Sequence, residues 1–535
     1  MLTLTDLLGR GYLPKQLPPP FFSTDWADSV QKHSISAPSK HVATELLRFS
    51  IPRPRGLPRI IGIPHPAHFH VLSEQISQNW ATLKAICDNS TISLTTPVLG
   101  LAAKGQRALE ARDGFPKFAQ FALDRRAGKR VMLKADVSLC YPSIYTHAIS
   151  WAIAGKAAAK AAAKAKPTVP HHADLIDKAV RDAQDKQSIG IPIGPDTSFL
   201  LANVLLSRVD EILRSKVKNL VGLRLLDDFE LYFDTVAEAE TVRMQLTHAL
   251  ASYNLTLNPG KTKVIDLPIA IEPDWKHEIA ELELRGNARR ANKRLRAAGD
   301  RVFMIRHQDA GSRAITYLLA MLSNCNFHPD IWPLAQSIAL ASMEFEENSL
   351  PKAAKLFITA YGKGWTIQTS RLRDVLNRII IRNSLLRHGY LVAWAIWLMI
   401  VLKLKLSDRA VEMAVDTQDP IALPVLAHGR EAGVAGGFRI NALAKSIASP
   451  SCWNEPYWLF LNECLRHDWL GAKTKKFVES GIKVQPYLSI LNKRSVSFYD
   501  VASGMISKSG SSVELKLAHL NAHAWAQIEL PLDYE

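Results

Sequence analysis

The chain has 535 residues, 47% of them hydrophobic, and a formal net charge of +16. That apolar share excludes a disordered chain, and the length leaves room for more than one core; the positive excess suggests a polyanionic partner, most simply nucleic acid, or else serves solubility alone. Five scattered cysteines (Cys87, Cys140, Cys325, Cys452, Cys464) show no Cys-x-x-Cys spacing, which fits a reducing cytoplasm rather than a disulfide framework.

The first residues, MLTLTDLL, lack a basic start, a long apolar run and a cleavage site, so no secretory leader is expected. A short helix pattern gives way to the proline-rich stretch Gly11–Phe22, which should be extended. Residues 51–71 read as a basic hairpin ending in a strand. The guanidinium groups of Arg53, Arg55 and Arg59 suit phosphate oxygens there, or solvate an exposed edge. His65, His68 and His70 follow in a proline-interrupted segment with no cysteine or second ligand pair, a poor pattern for zinc. The segment Val131–Tyr141 (VMLKADVSLCY) is a short apolar strand ending at Asp136. Residues 155–166 (GKAAAKAAAKAK) favour a solvated helix that Pro167 stops. The Gly/Pro-rich loop Gln187–Ser198 (QSIGIPIGPDTS) then leads into an apolar helix, a pattern that brings backbone close to a ligand.

In Val221–Phe233 (VGLRLLDDFELYF), apolar runs on both sides of Asp227 and Asp228 favour a hairpin with the two carboxylates at its turn. Such a pair either lies solvated or shares a hard cation such as Mg²⁺, which takes one or two carboxylates plus substrate phosphates. With Asp136 at the end of another strand, convergence would make a two-metal site for in-line phosphoryl transfer. Leu255–Lys263 (LTLNPGKTK) is a turn carrying Lys261. Residues 285–301 are strongly basic, fit either for phosphates or for a solvated helix face. From 310 onward apolar residues recur at helical spacing, as in a stack of antiparallel helices of HEAT-like kind with no assignable period. The most apolar run, Tyr390–Leu402, is shorter than the ~18–20 residues that span a bilayer and reads as a buried helix.

Four of these segments, in this order, resemble motifs A to D of reverse transcriptases. Asp136 and Tyr141 match the Asp-x-x-x-x-Tyr/Phe of motif A; Gly190, Pro192, Gly194, Ser198 and Asn203 match motif B; Asp227 and Asp228 match motif C; Asn258 and Lys261 match motif D. The resemblance covers roughly residues 10 to 270. Two departures narrow it: the usual Pro-Gln-Gly is here Pro192-Ile193-Gly194, and the usual Tyr-x-Asp-Asp is Leu225-Leu226-Asp227-Asp228. Together with Tyr141–His147 (YPSIYTH), the motif B loop looks like the bacterial abortive-infection and related defence-associated reverse transcriptases of the unknown-group lineage.

The resemblance implies an α+β fold, with reverse-transcriptase-like fingers and palm over 1–275 and an all-α helical-repeat domain over 276–535. It implies a Mg²⁺-dependent nucleotidyltransferase with two ions, Mn²⁺ being an alternative. Asp136, Asp227, Asp228 and the Val137 carbonyl would hold the metals, with Lys261 acting on the pyrophosphate. Arg59, Tyr141 and Gly194 would bind the deoxynucleoside triphosphate, Tyr141 screening out a ribose 2′-hydroxyl. It further implies an anti-phage enzyme that is a trimer or hexamer, acts away from membranes, needs no template, and primes on its own tyrosine, leaving DNA covalently attached. Tyr12, Tyr457, Tyr487, Tyr499 and Tyr534 are the priming candidates. Two other readings stay open: copying of a non-coding RNA, and a catalytically idle nucleic-acid-binding scaffold.

Overall fold

A computed structural model describes residues 1–39, 42–53, 56–114, 117–165, 171–449, 451–502, 506–509 and 512–515. Arg55, Pro167 and Tyr534 lie outside them. Helices and strands are mixed, and the chain divides into two units. One comprises Met1–Pro14, Ala27–Leu46 and Gly62–Ile271; the other comprises Lys15–Trp26, Leu47–Ile61 and Glu272–Glu535.

The strands, in chain order, are β1 (Leu47–Arg53), β2 (Gly56–Ile63), β3 (Pro97–Leu99), β4 (Leu109–Ala111), β5 (Val131–Asp136), β6 (Gly222–Leu225), β7 (Asp228–Phe233), β8 (Lys263–Asp266), β9 (Ile506–Ser509) and β10 (Ser512–Leu515). Within the first unit, β6-β7-β5-β8 form one antiparallel sheet. Alternation along its central strands decides which face is buried. Val131, Leu133 and Ala135 on β5, with Phe229, Leu231 and Phe233 on β7, join the apolar core. The helix Val236–Ala251 packs on that face, and the long helix Asp196–Lys216 packs on it in turn. Asp136, Lys134 and Met132 alternate to the other face, opposite Asp228, Glu230 and Tyr232. A capping box, Thr235 with Glu238, starts the helix that follows β7.

One expectation fails between 64 and 71. The chain there does not continue as a strand but turns helical over Pro66–Gln78. Proline at the first helical position is preset for a helix start, and His65 caps it by accepting the Ala67 amide. His68 bonds the Val42 carbonyl at 2.9 Å.

The second unit is largely helical from Asp274 to Lys493, and most of its helices pack on the next or the next but one, as in a two-row stack. The apolar run forms the helix Gly389–Val401, all of it buried except Ile400. Among the described residues no helix is long and apolar enough to cross a membrane. The proline-rich segment is seated in this unit: Trp394 donates to the Gln16 carbonyl at 2.8 Å, and Trp26 to the Tyr487 hydroxyl at 3.0 Å.

Candidate active site

The carboxylates meet at one end of the β6-β7-β5-β8 sheet. Asp136 and Asp228 are direct partners across β5 and β7, so both side chains leave the same face. Asp227 is the second residue of the two-residue loop joining β6 to β7, and its carbonyl accepts the Val137 amide at 3.1 Å. Asn258 clamps Asp136 twice: its amide N–H donates to the Asp136 carbonyl at 2.7 Å, and its side chain to the carboxylate at 3.0 Å. Lys261, on the same turn, has its ammonium 3.5 Å from Asp136.

Like charges gathered on a partly buried face disfavour ionisation. Burial first, then Asp227 and Asp136, push the Asp228 carboxyl up to about 7, with Lys261 and Lys134 pulling it back. Among the described residues no three His, Cys, Asp or Glu side chains form a metal cage by themselves. A cation that keeps waters and substrate oxygens does not need one. Three crowded carboxylates, with Asp228 pushed toward its protonated form, are the donor set such a cation relieves, so these residues fit Mg²⁺ or Mn²⁺.

The turn bearing Asp227 is held from behind by residues that sequence reasoning passed over. Leu226 takes φ of +54°, a conformation leucine rarely adopts. Its N–H donates to the Thr95 hydroxyl at 2.9 Å, and its carbonyl accepts from Arg224 at 2.7 Å. Arg224 is fully buried and forks onto Asp210 at 2.7 to 3.0 Å, and Asp210 also accepts from Ser90 at 2.6 Å. Thr95 reaches Asn203, one of the loop-and-helix residues picked out in the sequence, at 3.4 Å. A cation in the middle of an apolar strand was the available signal: Arg224 faces inward and demands a buried partner.

The Gly/Pro-rich loop behaves as expected of backbone brought close to backbone. Gly190 has φ of +88°, and a Cβ there would meet the Pro142 carbonyl at 3.0 Å. Ile191 donates to the Tyr141 carbonyl at 2.9 Å, tying the loop to the half-buried Tyr141 on the short helix Cys140–Ser143. Gly194 (φ +130°) gives its carbonyl to Arg107 at 3.1 Å. Arg107 also binds Asp196 and the carbonyls of Gly11 and Leu13, a second buried cation that the sequence reading missed. Burial raises the Asp196 carboxyl above its ordinary range, with Arg107 opposing. Cys140 is buried beside Asp227 and Asp136, and burial, aided by those charges, keeps its thiol protonated.

Asp136, Val137, Asp227, Asp228 and Lys261 are thus brought together, with Tyr141 and Gly194 on the adjoining loop. Arg59 lies on β2 within the second unit. Among the tyrosines considered for priming, Tyr12, Tyr487 and Tyr499 are buried, and their hydroxyls are engaged by Pro64, Trp26 and His428. Tyr457 is half-buried.

No family model matches the chain, and no curated protein does. Among solved structures, it is similar to apo telomerase of Candida tropicalis, with TM-score 0.32 and 12% identity over 81% of this chain and 71% of that one. A form of that enzyme truncated from its C-terminal domain gives 0.30 and 16% over 46% and 55%, so this chain spans about half of its length. Telomerase of Candida albicans in complex with a fragment of telomeric RNA gives 0.29 and 13% over 76% and 67%. At such TM-scores these likenesses establish neither fold nor activity for this chain.

Proposed function

We propose that the chain is a metal-dependent nucleotidyltransferase of reverse-transcriptase type that joins deoxynucleotides into DNA. One observation carries this reading: three segments far apart in sequence meet where Asp136 and Asp228 face each other in register, with Asp227 on the turn and Lys261 beside them. Two Mg²⁺ ions, when bound, would acidify the attacking hydroxyl and steady the pyrophosphate. Asp136, Asp227, Asp228 and the Val137 carbonyl would hold them. Lys261 contributes positive charge at the leaving group, and Tyr141 excludes a ribose 2′-hydroxyl.

The finer reading is an anti-phage enzyme whose synthesis is template-independent and protein-primed, in a homo-oligomer whose two-row helical stack is HEAT-like. It is supported by the motif B departure Pro192-Ile193-Gly194, which lacks the glutamine that templated relatives place near the incoming nucleotide. With Tyr12, Tyr487 and Tyr499 buried and bonded, the priming hydroxyl falls to Tyr457, Tyr534 or another tyrosine.

The test is to incubate purified protein with labelled deoxynucleotides and Mg²⁺, without template or primer. The product is run on a denaturing protein gel before and after DNase, beside Asp227→Ala. Label that stays with the protein, shrinks with DNase and vanishes in the variant is the expected result. Label that appears only with added RNA, in a product complementary to it, replaces template independence with RNA copying. No label under any condition leaves only a nucleic-acid-binding scaffold.

A further inference from the structure

The face of the sheet that bears the carboxylates carries a second charge conflict, of opposite sign to the first. Lys134 on β5 and Lys263 on β8 are direct register partners. Their ammonium groups therefore leave the same face side by side, and like charges directly opposite on antiparallel strands repel. Glu230, the partner of Lys134 on the other side, does not resolve the conflict. Its carboxylate is occupied by Arg126 at 3.1 Å and the Tyr232 hydroxyl at 2.8 Å, with Lys134 only at 4.0 Å. Lys263 is exposed and has no ion-pair partner among the described residues. Edge protection explains a lysine on β8, an edge strand, but not one on the central strand β5.

Position gives this pair a use. Lys134 precedes Asp136 by two residues, so it projects from the same face about 7 Å further along the strand. That is about the distance between neighbouring phosphates of a nucleic-acid strand. We propose that Lys134 and Lys263 form a phosphodiester-binding site: a strand whose reacting end lies at the carboxylates seats its next phosphate between the two ammonium groups. A single anion there turns the lysine–lysine repulsion into two attractions, and an ammonium is a compact charge suited to an oxygen cluster. The inference rests on the polymerase reading for what happens at the carboxylates, but not for binding itself.

The experiment measures binding without synthesis. The full chain, in EDTA and without triphosphates, is titrated into a short fluorescein-labelled oligodeoxynucleotide, and anisotropy is read over a series of salt concentrations. Lys134→Gln and Lys263→Gln should each lower affinity about fivefold at about 0.1 M salt and flatten the log K against log salt slope by about 0.7, the loss of one contact to a single strand. Lys263→Arg should bind like the parent. Lys263→Glu should bind worst yet melt no lower than the parent, because it replaces repulsion of Lys134 with attraction; a lysine serving stability would do the reverse. An unchanged affinity and slope in the double Gln variant overturns the proposal. If the parent binds through these lysines yet never makes DNA, the polymerase reading fails and the site stands. If DNA is made while the double variant binds normally, the site fails and the polymerase reading stands.

Discussion

Arg224 offers the sharpest test of how the carboxylate turn is built. Its guanidinium is fully buried and Asp210 nearly so. Replacing Arg224 with Met keeps the volume but leaves a buried carboxylate with Ser90 as its remaining side-chain donor. Breaking a buried pair from one side costs about 3–5 kcal/mol. The Leu226 carbonyl also loses its donor, adding about 1 kcal/mol. The double variant Arg224→Met/Asp210→Leu removes the stranded charge and should recover most of the first figure, since a buried pair exchanged for apolar groups is roughly neutral. Urea unfolding followed by far-UV circular dichroism gives the comparison, read as the transition that moves between variants because a chain of two units need not unfold in one step. Arg224→Lys keeps the charge but not the fork, so synthesis should fall further than stability. A single Met variant within about 1 kcal/mol of the parent, or a double variant no better than the single, would refute the reasoning.

Three further outcomes follow from the same structure. Tyr141→Ala removes a half-buried ring, costing about 2 kcal/mol, and should admit ribonucleotides at least about tenfold more readily; unchanged sugar discrimination in a primer-extension assay defeats its role. EDTA should abolish synthesis without unfolding the chain, while Mg²⁺ at about a hundred times its Kd should add about 2.7 kcal/mol in thermal melts of the parent but not of Asp227→Asn; equal gains would place the ion elsewhere. His428 is held down to about 4 by burial first and then by His467. The unfolded chain therefore takes up a proton that the folded chain refuses, so this contribution is complete above about 6.5 and is lost as pH falls toward 4. His428→Gln should flatten the loss of stability between about pH 7 and 5 by about 2 kcal/mol; identical slopes in urea would show that the imidazole is not held neutral. Asp419, pushed up to about 6 by burial, acts in the opposite direction and is common to both proteins.

What was legible in the sequence was whatever depended on alternation and on turn chemistry. Leucine, valine and phenylalanine at every second position marked β5, β6 and β7, and adjacent aspartates marked the loop between them. Asn258 followed by Pro259 and Gly260 marked the turn that brings Lys261 back to Asp136. The pairing of Asp136 with Asp228 was not legible, because register is set by which face packs on the helix Val236–Ala251 rather than by either strand alone. Nor was the support behind the turn. Arg107, Arg224, Asp196 and Asp210 look like surface charges in a list, and only burial turns each pair into a fixed strut. The helix at Pro66 was misread because two prolines suggested extension, whereas the second sits where a helix start tolerates it.

The contrast between those struts and the carboxylate-bearing face supports the proposed site on physical grounds. Within the first unit, Arg224 with Asp210 and Arg107 with Asp196 are opposite charges in contact, each with further hydrogen bonds. On the outer face of the sheet the pattern reverses. Asp228 is driven to retain its proton by burial and then by Asp227 and Asp136, Lys134 faces Lys263, and Leu226 holds a left-handed backbone conformation in the adjoining turn. A neutral residue at one of the charged positions, or glycine at 226, would relieve the cost, and most surface substitutions of that kind are tolerated. Strain and like-charge contact gathered at one strand end are what a site looks like when its ligands are part of the balance. A divalent cation would answer the carboxylates, the proposed phosphodiester would answer the lysines, and the two positions lie about one nucleotide apart. Both ligands are therefore needed together: Mg²⁺ should tighten oligonucleotide binding in the parent, and Asp227→Asn should bind oligonucleotide with no response to Mg²⁺.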